Sequence, residues 1–138
     1  MILTSSADSI HPLDPNFLSL PDSHEHRIYA DDYGHVYATV DAEDYWFFSR
    51  WRWKAITNST GKKLYLVRNI GRSENQNGYT IYLHVAIHER RGIKKPSPKH
   101  TMVDHIDSDS LHCRGDNLRW ATPKMNRHNR HGQRELSI

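Results

Sequence analysis

Polar side chains suited to metal binding and proton transfer are concentrated in the segment Val103–Arg130. Asp104 and His105 are adjacent, and Asn126 follows them later in the same segment. A carboxylate and an amide supply hard oxygen ligands of the kind that Mg²⁺ or Mn²⁺ prefers, and a neutral imidazole can take a proton from water. The segment therefore predicts a hydrolytic site that uses one divalent metal ion.

A helix over Thr122–His131 is predicted at the end of this segment. Thr122 can act as its N-cap, Pro123 suits the first helical position, and Gly132 can end it. The helix contains both Asn126 and Asn129, although asparagine costs a helix roughly 0.5 kcal/mol relative to alanine. Their presence in an otherwise ordinary helix indicates that the two amides have a task.

Two short strands are expected to position the acidic and imidazole side chains ahead of this helix. One strand leads from Val103 into Asp104 and His105, and the second is Asn117–Trp120, after an eleven-residue polar loop. This pattern predicts a hairpin with a long loop. Neighbouring residues of a regular strand point to opposite faces, so Asp104 and His105 can share a site only where the strand twists or ends. The loop that begins at Ile106 provides such an end.

The pattern VDHID around His105, then NLRW beginning at Asn117, then an asparagine at Asn126, resembles the HNH endonuclease family in its phage and homing-endonuclease branch. The resemblance implies a ββα-metal fold in which Asp104 and Asn126 are metal ligands and His105 is the general base. It also implies that Asn117 holds the loop that carries the histidine. The products would then carry a 5′-phosphate and a 3′-hydroxyl.

Upstream, the stretches YATVDAEDYWFFSRWRW and IYLHVAIHERRG resemble the strand, helix and Trp-containing strand that precede the motif in this branch. The resemblance thus spans about Ile28 to Arg130. The chain departs from the family at Val85, where arginine is common, and at Cys113, where an amide or a basic residue is common. The CxxC pairs that hold zinc in some relatives are absent from the sequence, so no structural zinc is expected.

The patterns along the chain predict an α+β fold, with a small mixed or antiparallel sheet in the N-terminal part followed by the ββα-metal motif. Residues 1–26 are rich in Ser, Asp, His and Pro and are expected to form a loosely ordered arm in which His24 and His26 are surface residues. Residues 27–138 are expected to form a single domain. Within it, a β-rich supporting part with one helix covers 27–83, and the HNH core covers 84–132.

The supporting part begins with a predicted hairpin over Arg27–Val40, where apolar and polar residues alternate around a glycine-containing turn. Asp41 can cap a helix that ends near Arg50. Trp51 and Trp53 are two residues apart and are expected to share one face of the next strand, because side chains alternate along a strand. Both indoles are interpreted as core residues rather than as surfaces for stacking on bases.

A further strand over Leu64–Val67 is expected to pair with the Trp-containing strand. The strand Tyr79–Leu83 then runs into a helix over His84–Arg91, which Gly92 ends. The four-residue spacing of His84 and His88 could chelate zinc, but neither a thiol partner nor an HExxH glutamate accompanies the pair. His84, like Asn129, is therefore interpreted as bordering the active site.

Basic residues are concentrated in the C-terminal part of the chain. Residues 1–83 contain 8 Lys and Arg against 10 Asp and Glu, whereas residues 84–138 contain 11 against 6. A basic surface around acidic site residues is typical of a polyanion-binding site with an embedded metal ion, although a solvated basic face gives the same counts. The candidates for DNA phosphate contacts are Arg119, Lys124, Arg127, Arg130, Lys94 and Lys95.

The single cysteine, Cys113, excludes an intramolecular disulfide and is typical of a reducing compartment, so a cytoplasmic protein is expected. The resemblance to phage enzymes places that cytoplasm in a host cell. No apolar run approaches the roughly 18 residues that a membrane span needs, so no membrane partner is expected.

The expected function is that of a Mg²⁺- or Mn²⁺-dependent endonuclease that hydrolyses DNA phosphodiester bonds, by nicking, because one metal ion and one base serve one phosphodiester at a time. The alternative is a DNA-binding module or regulator of the same fold that does not cut. A zinc-braced interaction domain is a third hypothesis, against which the single thiol speaks. The sequence leaves the target site open, and the chain could act as a monomer or a homodimer.

Overall fold

The computed structural model describes residues 26–71 and 77–130 of the 138-residue chain. The predictions for residues 1–25 and for the helix stop at Gly132 lie outside these residues. The described part is an α+β fold with three α-helices and seven short strands. In chain order the elements are β1 (His26–Tyr29), β2 (Tyr37–Val40), α1 (Ala42–Phe48), β3 (Lys54–Thr57), β4 (Leu64–Ile70), β5 (Tyr79–Tyr82), α2 (Leu83–Arg90), β6 (Met102–His105), β7 (Leu118–Ala121) and α3 (Pro123–Arg130).

The strands form three small sheets, β1–β2, β3–β4–β5 and β6–β7, and every strand pair is antiparallel. The predicted α+β class is confirmed, and the supporting sheets are antiparallel rather than mixed. In every pair the two strands are consecutive in sequence, and a hairpin connection of this kind gives antiparallel pairing.

The N-terminal hairpin forms as predicted, with His26 opposite Val40 and Tyr29 opposite Tyr37. His26 is only 4% exposed, and its ring centroid lies 5.7 Å from that of Tyr45 in α1. The prediction of a surface histidine in a loose arm is therefore wrong for this residue. The first strand begins one residue earlier than expected, and α1 covers the imidazole.

The strand predicted to contain Trp51 and Trp53 begins only at Lys54, so this prediction is wrong. The indole of Trp53 is 2% exposed and donates from Nε1 to the carbonyl of Phe48 at 2.8 Å. Trp53 also forms an isolated bridge with Ala30. These contacts hold Trp53 in the core just before β3 begins, whereas Trp51 is half-buried at the edge of the core.

The helix α2 supplies the centre of the core. It starts at Leu83, one residue before the predicted start, and the chain leaves it through Gly92, whose φ of 70° suits glycine. Leu83 and Ile87 are 1% and 0% exposed, as expected for residues on one helical face. His88 is 1% exposed as well, so this helix is buried around more of its circumference than a surface helix would be.

The C-terminal hairpin and helix also form as predicted. β6 pairs with β7, and β7 begins at Leu118, because Asn117 closes a short 3₁₀ turn instead of starting the strand. Thr122 caps α3, since its hydroxyl oxygen accepts a hydrogen bond from Met125 N at 3.1 Å. None of the three α-helices in the described part of the chain has the length and apolarity needed to cross a membrane.

The loop between β6 and β7 packs on the N-terminal hairpin. Thr39 N donates to Leu111 O at 2.9 Å, and Cys113 N donates to Thr39 O at 2.8 Å. The loop thus adds to the edge of β2 through backbone hydrogen bonds, with Thr39 and His112 in bridge register. The position of the loop is therefore fixed by the supporting part of the chain.

Asp41 connects the same two parts through its side chain. Asp41 lies at the N-cap position of α1, as predicted, but its carboxylate makes no capping hydrogen bond. Its oxygens instead accept from Gly115 N at 2.8 Å, pair with Arg91 at 2.7 Å and lie 3.3 Å from Arg114 Nε. One carboxylate therefore joins the start of α1, the end of α2 and the turn before β7.

Candidate active-site pocket

A pocket of about 640 Å³ lies between β6, α3 and the turn that joins β3 to β4. Five of its lining residues are predicted site residues, namely Asp104, His105, Asn126, Asn129 and His84. The remaining lining residues are Asn58, Ser59, Thr60, Lys62, Lys63, Tyr65, Val103 and Ser108. β6 ends at His105, and this end of the strand allows adjacent residues to reach one pocket.

Asp104 is a buried carboxylate, 6% exposed, with hydrogen-bond donors on both oxygens. Asn129 Nδ2 lies 3.1 Å from each oxygen, and Arg119 Nη2 lies 2.9 Å from Oδ2. Arg119 is the cross-strand partner of Asp104 in the hairpin, which explains the ion pair. Arg119, which was predicted to contact DNA phosphate, therefore pairs with Asp104, the predicted metal ligand.

His105 is also buried, and burial together with the charge of Lys63 lowers its pKa to about 4. The imidazole is therefore neutral at neutral pH. Its Nε2 lies 3.7 Å from the sulfur of Cys113, whose thiol donates to Ser110 O at 3.7 Å. The tautomer of the ring determines which of the two atoms donates in the contact between Nε2 and the sulfur.

Asn117 holds the loop that follows His105. Its Oδ1 accepts from Asp107 N at 3.1 Å, and its Nδ2 donates to Asp107 Oδ1 at 2.9 Å and to His112 O at 2.8 Å. Asp107 in turn pairs with His112 at 2.6 Å, and this imidazole is a main cause of the lowered pKa of the carboxylate. Burial acts on that pKa in the opposite direction.

Asn129 is the asparagine of α3 that contacts the other site residues. It is 1% exposed, and besides Asp104 its amide nitrogen donates to the carbonyl of His105. Its side-chain oxygen accepts from the hydroxyl of Ser108 at 3.0 Å. Asn126 lies one turn earlier on the helix and lines the pocket. The sequence indicated a task for both amides but did not indicate that Asn129 makes the direct contact.

Two aromatic rings line the pocket beside the imidazole of His105. The ring centroid of His84 lies 4.5 Å away and that of Tyr65 lies 6.2 Å away. Burial and the neighbouring His105 lower the pKa of His84 to about 3, so two neutral imidazoles lie side by side. Tyr65 was not predicted as a site residue, because the sequence pattern indicated only a strand residue.

Lys63 is a second pocket residue that sequence reasoning missed. Its ammonium donates to Ser108 O at 2.9 Å and is close enough to lower the pKa of His105. The contact joins residues 45 positions apart, so no local pattern could reveal it. A turn held by Asn58 Oδ1, which accepts from Lys62 N at 3.1 Å, brings Lys63 to the pocket.

Four of the other predicted phosphate contacts lie outside the pocket. Lys124 and Arg127 are exposed on α3, where Arg130 is the last residue, and Lys94 and Lys95 are exposed in the segment before β6. The ammonium of Lys95 lies 5.0 Å from the centre of the Trp120 ring. None of the four exposed residues lines the pocket.

The oxygen donors of the pocket suit a hard divalent cation. Asp104 offers a carboxylate and Asn126 an amide oxygen. Residues 26–71 and 77–130 contain no group of three or more His, Cys, Asp or Glu placed to hold a metal ion. Mg²⁺ suits such a sparse set, because it retains several waters and uses one or two carboxylates together with substrate phosphate oxygens. The buried carboxylate of Asp104 pairs with Arg119. A metal ion would have to share this carboxylate with the guanidinium or displace the guanidinium.

Comparisons with protein-family models, curated proteins and solved structures found no match to this chain.

Proposed function

We propose that this chain is a metal-dependent endonuclease of the HNH type that hydrolyses DNA phosphodiester bonds one strand at a time. The observation that carries the proposal is the convergence of Asp104, His105 and Asn126 on one pocket. A hairpin followed by a helix supplies all three, which is the element order of a ββα-metal motif. A carboxylate and an amide oxygen can hold a hard divalent metal ion, and a neutral imidazole can take a proton from water.

In this proposal Asp104 and Asn126 hold Mg²⁺ or Mn²⁺, which when bound neutralises charge on the scissile phosphate and on the 3′ oxygen that leaves. Neutral His105 takes the proton of the attacking water on its unprotonated ring nitrogen. Its orientation is supported by the Cys113 sulfur at 3.7 Å and by the loop that Asn117 holds. The 3′ oxygen takes a proton from solvent water as it leaves, and His105 afterwards returns its own proton to solvent.

Two further residues assist this chemistry without carrying it. Asn129 fixes the carboxylate of Asp104 and the carbonyl of His105 through one amide group. The ammonium of Lys63 lies at the pocket wall, where its charge attracts a phosphate and disfavours protonation of the base.

The experiment that tests the proposal is incubation of the protein with supercoiled plasmid, with and without Mg²⁺ or Mn²⁺. Open-circular product should appear only with metal ion and should be lost in His105→Ala. The control variant His35→Ala changes an exposed histidine outside this pocket and should nick like the wild type. A wild-type protein that leaves the plasmid intact with both metal ions would rule the proposal out.

A DNA-binding module that does not cut is the second candidate, and the ion pair of Asp104 favours it. Both oxygens of this carboxylate already have donors, Asn129 and Arg119, as in a site that has exchanged a metal ion for a guanidinium. Duplex binding that is unchanged by Mg²⁺, without nicking, would support this candidate over the nuclease.

A further inference from the structure

Three arginines converge on two aromatic rings at a surface outside the pocket. We call this set of residues (Phe47, Arg50, Trp51, Arg68 and Arg90) the Arg–aromatic cluster. The guanidinium carbon of Arg90 lies 3.9 Å from the centre of the Phe47 ring, and that of Arg68 lies 5.0 Å from the centre of the Trp51 ring. Arg50 lies over both rings, at 4.3 and 4.8 Å. The rings themselves pack edge to face at 5.3 Å.

Among the described residues, little negative charge compensates the arginines of this cluster. Within residues 26–71 and 77–130, no carboxylate forms an ion pair with Arg50 or Arg68. Arg90 approaches Asp44 at 3.9 Å, but that carboxylate is 1% exposed and already pairs with Arg91 at 2.7 Å. Like charges held this close repel each other, so an anionic occupant would stabilise the arrangement.

We propose that the Arg–aromatic cluster binds the phosphate backbone of a DNA duplex, as a contact separate from the pocket. A guanidinium whose face lies against a ring keeps its N–H edge for phosphate oxygens, which it can bind in a bidentate manner. Arg50 Nε donates to Phe47 O at 3.0 Å, and this bond further fixes the orientation of its guanidinium. Stacking also orders the arginines before binding, which reduces the entropic cost of immobilising them. The charge complementarity calls for a polyanion, and the choice of DNA rests on the proposed function.

The numbers of acidic and basic residues in the two parts of the sequence do not reveal the positive surface at the Arg–aromatic cluster. The part of the chain before α2 carries more acidic than basic groups, yet the cluster takes Arg50 from the segment after α1 and Arg68 from β4. Only Arg90 comes from the basic half. Each arginine is brought to the rings by the fold, so the local charge is positive where the regional count is negative.

The experiment measures the affinity for a fluorescein-labelled duplex by anisotropy at several salt concentrations, in EDTA so that no cleavage occurs. Each lost phosphate contact lowers the slope of log affinity against log salt by about 0.9. The double variant Arg50→Gln/Arg68→Gln should therefore lose about 1.8 units of slope. The matched double variant Arg52→Gln/Lys54→Gln removes the same charge from nearby exposed residues and should lose markedly less.

An unchanged slope in the first variant, or an equal loss in the second, overturns the proposal. If the glutamine variant does not fold, Arg50→Lys/Arg68→Lys keeps the charge but loses the planar stacking. It should bind the duplex several-fold more weakly at every salt concentration, and wild-type affinity would overturn the proposal. If polyglutamate binding falls in the variant while duplex binding does not, the partner is an acidic protein and the proposal is wrong.

These results are separable from those on the proposed function. A protein that loses salt slope in the glutamine variant but never nicks plasmid has the DNA contact without the nuclease activity. A protein that nicks plasmid and keeps its slope has the activity without this contact.

Discussion

At the scale of single residues, the proposed function assigns proton transfer and metal binding to different side chains. His105 makes no hydrogen bond to Asp104 or Asn126 through its side chain, so His105→Ala should retain divalent metal binding. Nicking should nevertheless fall by about 10²- to 10⁴-fold, the usual contribution of a general base. Asn126→Ala should instead weaken metal binding, because it removes one of the two proposed protein ligands. Calorimetric titration with Mn²⁺, beside plasmid nicking, measures both effects.

The opposite pattern, with loss of metal binding in His105→Ala and retention in Asn126→Ala, would show that the two roles are wrongly assigned. Partial recovery of Asn126→Ala at high Mn²⁺ concentration is expected, because mass action offsets a weaker site.

Asn129 should be more important for stability than its place at the pocket border suggests. Asn129→Ala removes the donor shared by Asp104 and the carbonyl of His105, both buried. A buried acceptor without its partner lowers the free energy of unfolding by about 1 to 3 kcal/mol. The midpoint of urea unfolding should therefore fall. Asn69→Ala, at an exposed position of β4, is the control. A wild-type midpoint in Asn129→Ala would mean that water replaces the amide without loss.

At the scale of elements, α2 carries an unfavourable feature in its buried face. Within residues 26–71 and 77–130, neither ring nitrogen of His88 has a hydrogen-bond partner, although the residue is 1% exposed. Its ring packs edge to face on Trp120 at 5.0 Å. His88→Leu should therefore stabilise the protein by about 1 to 2 kcal/mol, since an unsatisfied polar group is replaced by an apolar one of similar size. The exposed His35→Leu should be nearly neutral.

The same change should reduce the sensitivity of the protein to acid. Burial lowers the pKa of His88, so the folded state disfavours the protonated imidazole. The wild type therefore carries no such penalty above the unfolded pKa, near 6.5, and loses stability as the pH falls below that value toward the lower folded pKa. The stability gained in His88→Leu should thus be larger at about pH 5.5 than at about pH 7.5. A gain that is equal at both values would contradict the titration.

The start of α3 offers a second test at this scale. Thr122→Ala removes the hydroxyl oxygen that accepts from Met125 N, and loss of an N-cap costs about 1 kcal/mol. Thr122→Ser keeps that oxygen and should keep most of the stability. Because α3 carries Asn126 and Asn129, the alanine variant should also bind metal ion more weakly at elevated temperature. The melting temperatures of the two variants, measured by circular dichroism, check that Thr122→Ser is the more stable.

The elements that the sequence predicts correctly are those with local signals. Thr122 and Pro123 indicate a helix start, Gly92 marks a helix end, and the alternating residues of the first hairpin set its register. The start of β3 could not be read in this way, because the indole of Trp53 is held by a carbonyl five residues earlier. A two-residue spacing carries no information about that bond.

The residues of the candidate site differ in the same way, since some have a local sequence signal and others do not. Asp104, His105, Asn117 and Asn126 stand at fixed spacings within one segment of the chain, so a pattern can reveal them. The roles of Lys63 and Tyr65 at the pocket depend on how β4 packs against β6, and the pairing of Arg119 with Asp104 depends on hairpin register. Such contacts arise from tertiary structure, which the residue types alone do not specify.

At the scale of the whole molecule, the boundary between positions 83 and 84 divides the sequence but not the structure. The backbone hydrogen bonds of Thr39 and the carboxylate of Asp41 cross it. They join the N-terminal hairpin to the loop after His105 and to the end of α2. In hydrogen exchange, the amides of Thr39, Cys113 and Gly115 should therefore share one opening free energy. A chain cut after Leu83 should yield two fragments that gain protection only when they are mixed.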